Sequence, residues 1–158
     1  MTMKDYDIKI KASSEVTLYG TDDNTIVVPA TVKFDTDHEQ ADIDIDGDIP
    51  VKVGIPKNAE HIEIDIKGGV LNVSNLAFER IEIDTKSDLK LALDGTQGAV
   101  DINVIGGNVE LRVPKGFAFN TRCEGKNNNI ECNTVTTADT CNMIELNGKN
   151  SVLKIIGE

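Results

Sequence analysis

The sequence predicts an all-β chain built as a solenoid of stacked coils, with about 19 residues per coil. Apolar and polar residues alternate with a period of two, which is typical of strands with one buried face. One acidic phrase also occurs four times, at 43–48, 62–69, 81–88 and 100–107, and its starts are 19 residues apart. A fixed period of this length indicates a repeat architecture.

Each copy of the phrase predicts one strand. At 62–66 isoleucine alternates with acidic residues, and a second alternating run follows each copy, for example at 109–113 after the fourth copy. One repeat is therefore two strands and two turns. A unit of this size cannot enclose a core by itself, so successive coils are expected to stack and bury a continuous one.

An antiparallel β-sandwich is the alternative fold, because its strands also recur every 8–12 residues. Matching of residues one period apart favours the solenoid, since hairpins do not require it. The column that shows this best consists of Ile45, Ile64, Ile83 and Ile102.

The chain is expected to form a single domain over residues 1–158. Residues 1–23 contain two short alternating runs outside the 19-residue register. They are interpreted as an N-terminal cap, because an open solenoid end exposes strand edges and core. The coils then occupy residues 24–158.

The composition limits the partners that this chain can bind. Its net charge is −11 and its isoelectric point is near 4.6. Binding to nucleic acid or to an anionic membrane needs clustered lysine and arginine, so neither is expected. The polar start of the chain contains no apolar signal segment, and no apolar run is long enough to span a bilayer. As written, the sequence predicts a cytoplasmic protein without membrane insertion.

Three cysteines occur at 123, 132 and 141. Cys123 lies one period after Val104 and Cys132 one period after Val113, which places both in inward columns. We expect buried thiols rather than metal ligands, because zinc sites favour cysteine pairs two to four residues apart.

Three segments, at 51–76, 102–132 and 144–158, resemble the bacterial domain family named "putative adhesin", also described as a toast-rack-like β-solenoid. The closest match to the family's corner and following strand is GGNVELRVP at 106–114. The resemblance covers about residues 40–158. It implies a right-handed single-stranded β-helix without established catalytic residues, and a link to the bacterial envelope or to envelope stress.

The outward positions of the first predicted strand form an acidic surface. One expected column consists of Asp44, Glu63, Glu82 and Asp101, and the next consists of Asp46, Asp65 and Asp84. Predicted neighbours are about 4.8 Å apart, and each adjacent pair repels by about 1 kcal/mol in a water-like dielectric. The surface is interpreted either as a solubilising face or as a binding face for a basic partner protein. Weak Ca²⁺ binding is a further hypothesis, because carboxylate oxygens are calcium ligands.

These observations predict a non-catalytic binding or scaffolding module that needs no cofactor. Paired carboxylates can hydrolyse glycosides, but an open face poor in aromatic residues offers no pocket for a sugar, so the chain is not expected to be an enzyme. An adhesin-like or glycan-binding surface protein is the alternative function. A homo-oligomer formed through stacked solenoid ends is also expected.

Overall fold

The computed structural model describes residues 4–11, 15–46 and 49–158, and it confirms the predicted all-β class. Within these ranges there is no helix that is long and apolar enough to cross a membrane. The strands are β1 Asp5–Ile10, β2 Glu15–Thr21, β3 Lys33–Asp37, β4 Gln40–Ile45, β5 Val51–Pro56, β6 His61–Ile66, β7 Gly69–Ser74, β8 Ala77–Thr85, β9 Leu89–Asp94, β10 Gln97–Ile105, β11 Asn108–Val113, β12 Asn120–Cys123, β13 Lys126–Cys132 and β14 Met143–Gly157.

All of these strands belong to one sheet, and almost all of its pairs are parallel. Among the strands that the structure describes, only β3 and β4 pair in the antiparallel direction. The alternative of an antiparallel sandwich is therefore wrong. Hairpin turns can connect antiparallel neighbours, whereas parallel neighbours need a longer connection. Between the parallel neighbours β6 and β8, for example, that connection consists of β7 and the turns on either side of it.

The sheet consists of two runs of strands that continue into each other through β14. The first ladder has the order β3, β4, β1, β6, β8, β10, the beginning of β14 and β12. The second ladder has the order β5, β2, β7, β9, β11, the end of β14 and β13. Residues 143–149 of β14 pair with the first ladder and residues 149–157 with the second.

The strands at both ends of the chain lie inside these ladders. β1 pairs with β4 on one side and β6 on the other, and β2 likewise lies between β5 and β7. β14 lies between β10–β11 and β12–β13. Residues 1–23 were expected to cap the stack, and the structure instead places β1 and β2 within it. An interior strand satisfies its backbone groups on both sides, which an edge strand cannot do.

The segment at 24–39 occupies the position that the cap was expected to fill. β3 pairs with the outer side of β4, and Val27 exchanges two backbone hydrogen bonds of 2.8 Å with Gly54 of β5. The expectation that coils begin at residue 24 is therefore wrong for this segment, which covers the end of both ladders. Pro29 cannot donate a ladder hydrogen bond, consistent with its position outside the strands.

Inward residues of both ladders form a single hydrophobic core. The predicted alternation holds in β6, where the three isoleucines at 62, 64 and 66 are at most 1% exposed and the residues between them are exposed. Burial of a side chain of this kind contributes about 1.5–3 kcal/mol. The core consists mainly of Ile, Val and Leu.

Among the strand pairs that the structure describes, the 19-residue spacing matches the pairing only in the middle of the first ladder. Ile62 pairs with Ile81 and Ile81 pairs with Val100, as the period requires. Across β1, however, Ile43 and Ile64 both pair with Ile8, so the offset between β4 and β6 is 21 residues. The inserted strand sets this register, because it pairs with both neighbours.

The prediction of buried cysteines is wrong, since all three thiols are exposed. Both of the cysteines that were expected to point inward do lie in inward columns, but in those of Ile102 and Leu111 rather than those of Val104 and Val113. Cys123 pairs with Leu146 and Cys132 pairs with Ile155, both of which are fully buried. β12 and β13 are the last strands of their ladders, so no further strand covers these two side chains.

Candidate functional site

Two columns of polar side chains cross the outer face of the first ladder. The pairing places one column in the spatial order Asp42, Asp7, Glu63, Glu82, Asp101 and Glu145. The second column has the order Asp44, Lys9, Asp65, Asp84, Asn103 and Asn147. Adjacent strands lie about 4.8 Å apart, so the carboxylates of neighbouring strands are close together.

Of the seven predicted site residues, Glu63, Asp65, Glu82, Asp84 and Asp101 occupy the positions expected of them. Asp44 does not, because it lies in the column of Asp65 with Lys9 between the two. Asp46 is exposed and follows the last residue of β4, outside the paired columns. The 21-residue offset through β1 moves both residues two positions along the strand.

The structure adds Asp7 and Asp42 to the acidic surface, and the sequence pattern did not identify either. We define the acidic face by its carboxylates, which are Asp7, Asp42, Asp44, Glu63, Asp65, Glu82 and Asp84. The signal for Asp7 was present in the alternation of Asp7 and Lys9 with Ile8 and Ile10. It could be used only once β1 was known to lie beside β6.

Arginine side chains neutralise the far end of this surface. Asp101 is buried and forms an ion pair with Arg80. Glu145 lies 3.6 Å from Arg122, measured between carboxylate oxygen and guanidinium nitrogen. Asn103 stabilises the centre, because its amide nitrogen donates to Glu82 at 2.9 Å and to Asp84 at 2.6 Å. The remaining negative charge is therefore concentrated between β4 and β8.

Two carboxyl groups of the acidic face have raised pKa values. Partial burial raises the pKa of Asp7, and Asp42, Asp44 and Asp65 raise it further, while Lys9 lowers it. Partial burial likewise raises the pKa of Glu63, with additional repulsion from Asp7 and from neighbouring carboxylates. Both groups bind a proton more readily in the folded chain than in the unfolded one.

We expect Glu63→Gln to raise the melting temperature at pH 7 by about 1–3 °C, because it removes like-charge repulsion between neighbouring strands. A raised folded-state pKa means that stability falls as the pH rises through the interval above the ordinary value of 4.5. The gain should therefore disappear below that interval, where the wild-type group is protonated in both states. Thermal unfolding from pH 3.5 to 7.5 measures this, with Glu15→Gln on the second ladder as the control. A lower melting temperature for Glu63→Gln at pH 7 would contradict this account.

A second polar cluster lies beside the acidic face, at the N-terminal ends of β1 and β6. Asp5, Glu60 and His61 place one potential ligand atom each within 4.8 Å of one another. His61 Nδ1 is 3.3 Å from a carboxylate oxygen of Asp5, and the Lys4 ammonium is 3.7 Å from Glu60. These groups could ligate a cation, but a lysine already neutralises one of the carboxylates.

The fold is similar to that of a crystal structure described as a putative cell adhesion protein from Clostridium sporogenes ATCC 15579. The two align with a TM-score of 0.62 and 10% sequence identity, over 99% of this chain and 93% of that chain. At this identity the likeness is one of fold. No protein-family model and no curated protein matches the sequence.

Proposed function

We propose that this chain is a non-catalytic binding or scaffolding module whose acidic face binds a basic surface on a partner protein. The observation that carries this proposal is the pairing that places Asp7, Glu63 and Glu82 on adjacent strands. Asp65 and Asp84 lie beside them in the next column. The pKa values of Asp7 and Glu63, which partial burial and then neighbouring carboxylates raise, support it, because a bound cationic group would stabilise the charged form of both side chains.

The acidic face is suited to fast and specific association. Its carboxylates project from paired strands, so the backbone that carries them is already ordered before a partner arrives, and little entropy is lost there on binding. Concentrated charge of one sign also raises the rate of encounter with an oppositely charged surface.

We further propose that the two ladders form a right-handed single-stranded β-helix. The parallel pairing supports this, since strands that follow each other in the chain alternate between the two ladders from β4 to β11. A connection between parallel strands of one sheet is right-handed in about 98% of cases. The single core shared by both ladders is also consistent with stacked coils.

We propose no catalytic role for the acidic face. The side chains of the acidic face point away from the core on successive strands and are exposed or half-exposed. Glycoside hydrolysis needs two carboxyl groups on opposite sides of a bound sugar. A row of carboxylates on one outer sheet face can contact a sugar from one side only, so it does not meet this requirement.

Neutralising four carboxylates should weaken binding to a basic probe. We expect the variant Glu63→Gln, Asp65→Asn, Glu82→Gln and Asp84→Asn to bind an eight-residue lysine peptide at least about tenfold more weakly than wild type. The amide oxygens of the new side chains can still accept the hydrogen bonds of Asn103. Fluorescence anisotropy at 0.15 M salt, where the screening length is about 8 Å, measures the affinity.

The matched control removes four negative charges elsewhere on the chain. Glu15→Gln, Asp22→Asn, Asp94→Asn and Asp139→Asn are all exposed positions outside the acidic face. Because both variants have the same net charge, a specific face predicts that the control binds the peptide within about twofold of wild type. Equal weakening of both variants would mean that net charge alone attracts the peptide, and the proposal would fail.

An adhesin-like role at the bacterial envelope is a second candidate function. It is supported by the structural neighbour described as a putative cell adhesion protein, whose fold extends over nearly all of this chain. Binding to immobilised envelope glycans by the wild-type protein, unaffected by the four neutralising substitutions, would favour this role. Absence of glycan binding together with peptide binding would favour the basic protein partner.

A further inference from the structure

The outer face of the second ladder carries a column of alternating charge. In spatial order it consists of Lys90, Glu110, Lys154 and Glu131, each paired with the next across neighbouring strands. The alternation exists only because β14 lies between β11 and β13. Along this column the signs are therefore plus, minus, plus and minus.

Three of these four charged side chains form no ion pair with any residue that the structure describes. Among the residues that the structure describes, Lys90, Lys154 and Glu131 form no ion pair within 4.0 Å, whereas Glu110 lies 3.6 Å from Arg112. The column borders an open groove of about 590 Å³, which Val70 and Val152 also line. The face thus combines unpaired charges with a partly apolar depression.

We propose that this face binds the same face of a second copy of the chain, around a two-fold axis that runs parallel to the strands between β11 and β14. A column of alternating charge is complementary to itself when its order is reversed. The two-fold axis performs this reversal, so Lys90 faces Glu131 of the second copy and Glu110 faces Lys154 of the second copy. The symmetry generates both pairs twice.

The spacing of the charges identifies the partner as another ladder. Successive charges lie about 4.8 Å apart, whereas residues on one side of an extended peptide recur about every 6.6 Å. A second copy repeats the spacing of the column and places an opposite charge at every position. An axis perpendicular to the strands would instead place Lys90 against Lys90, which repels.

The neighbouring columns are compatible with this arrangement. Under the same reversal Asn108 faces Val152, and Arg112 faces Ile156 of the second copy. Asp88, whose carboxylate accepts a hydrogen bond from the backbone of Asn108, faces the neutral Asn129. No like charges meet among these described side chains.

The size of the contact predicts a weak dimer. The axis lies two strands from the end of the second ladder, so four strands of each copy overlap. Four strands that are about 4.8 Å apart and about 20 Å long cover roughly 400 Å² in each copy, and stable interfaces bury about 800 Å² per partner. Association is therefore expected to be reversible and visible mainly at high protein concentration.

Charge reversal at one end of the column should weaken the dimer. Sedimentation velocity of the wild-type chain from 10 µM to 1 mM, in 0.15 M salt, is expected to show a monomer–dimer equilibrium. Lys90→Glu places a carboxylate against Glu131 in both symmetric contacts and should raise the dissociation constant by at least about tenfold. Glu131→Lys should have the same effect, and it provides the test if the first variant does not fold.

Restoring complementarity should restore the dimer. The double variant Lys90→Glu with Glu131→Lys has the order minus, minus, plus, plus, which again complements its own reversal and should dimerise like wild type. An equimolar mixture of the two single variants should form a heterodimer, because every facing pair then has opposite signs. A wild-type chain that is monomeric at 1 mM would overturn the proposal. A dimer that Lys90→Glu leaves unchanged, as expected for end-to-end stacking through β12 and β13, would also overturn it.

Discussion

Replacing Ile8 with alanine is expected to lower the free energy of unfolding by about 2–5 kcal/mol, the range for truncating a fully buried isoleucine. Ile8 is 2% exposed and pairs with Ile43 on one side and Ile64 on the other. Because the whole domain is expected to be stable by only about 5–15 kcal/mol, a large fraction of its stability would be lost. Urea unfolding measures the change.

Two other isoleucines provide reference values for the loss of stability expected of Ile8→Ala. Ile64→Ala should cost about as much as Ile8→Ala, since both residues lie inside the first ladder. Ile130→Ala should cost only about 1 kcal/mol, because Ile130 is half-buried in the outermost strand β13. If Ile8→Ala behaved like Ile130→Ala, the N-terminal strand would be peripheral and the register of the acidic face would be wrong.

Replacing Gly148 with alanine should destabilise the chain by about 3–5 kcal/mol, because backbone strain and steric overlap both contribute. Gly148 has a φ of +145°, and an added Cβ would overlap the carbonyl oxygen of Val104. These two residues are paired between β14 and β10. The same carbonyl accepts a hydrogen bond of 2.9 Å from the buried hydroxyl of Ser151, so it has little freedom to move.

Gly106 provides the control for the effect of backbone conformation alone. Its φ is +70°, but an added Cβ would meet no atom within 4 Å. Gly106→Ala should therefore cost only about 1–2 kcal/mol, which is the penalty for a left-handed residue with a Cβ. Equal effects at both glycines would show that β14 does not approach β10 as closely as described.

The sequence alone was sufficient to predict the central strands of the first ladder and their buried faces. Period-two alternation is a local property, so it identified β6, β8 and β10 and the inward side of each. The 19-residue period also predicted that Ile62, Ile81 and Val100 are neighbours, because the chain adds these strands to the first ladder in sequence order.

The spatial order of the strands could not be predicted in the same way. An alternating apolar strand such as β1 fits equally well at the end of a ladder or inside it, since its own pattern is the same in both positions. The choice depends on which backbone edges remain unpaired and which side chains become buried in the whole chain. For this reason the sequence pattern places Asp44 and Asp46 in the wrong columns and does not identify Asp7 or Asp42.

The insertion of β14 had the same consequence for the second ladder. The sequence order brings Lys90 and Glu110 together but separates Glu131 and Lys154 by 23 residues. The alternation of charge along the second ladder is therefore not visible in the order of the sequence. The exposure of Cys123 and Cys132 has a related cause, because β14 rather than β12–β13 became the next layer.

Residue-resolved amide hydrogen exchange would test most directly whether β1 and β14 lie inside the ladders. Both outer faces depend on this arrangement, since β1 and β14 set the columns of charge on them. We predict that the amides of β1 and β14 exchange as slowly as those of β6 and β8, because strands paired on both sides open only with the whole domain. The amides of β12 and β13 should exchange faster. Rapid exchange throughout β1, as in a frayed terminus, would contradict the account and with it the assembly of the acidic face.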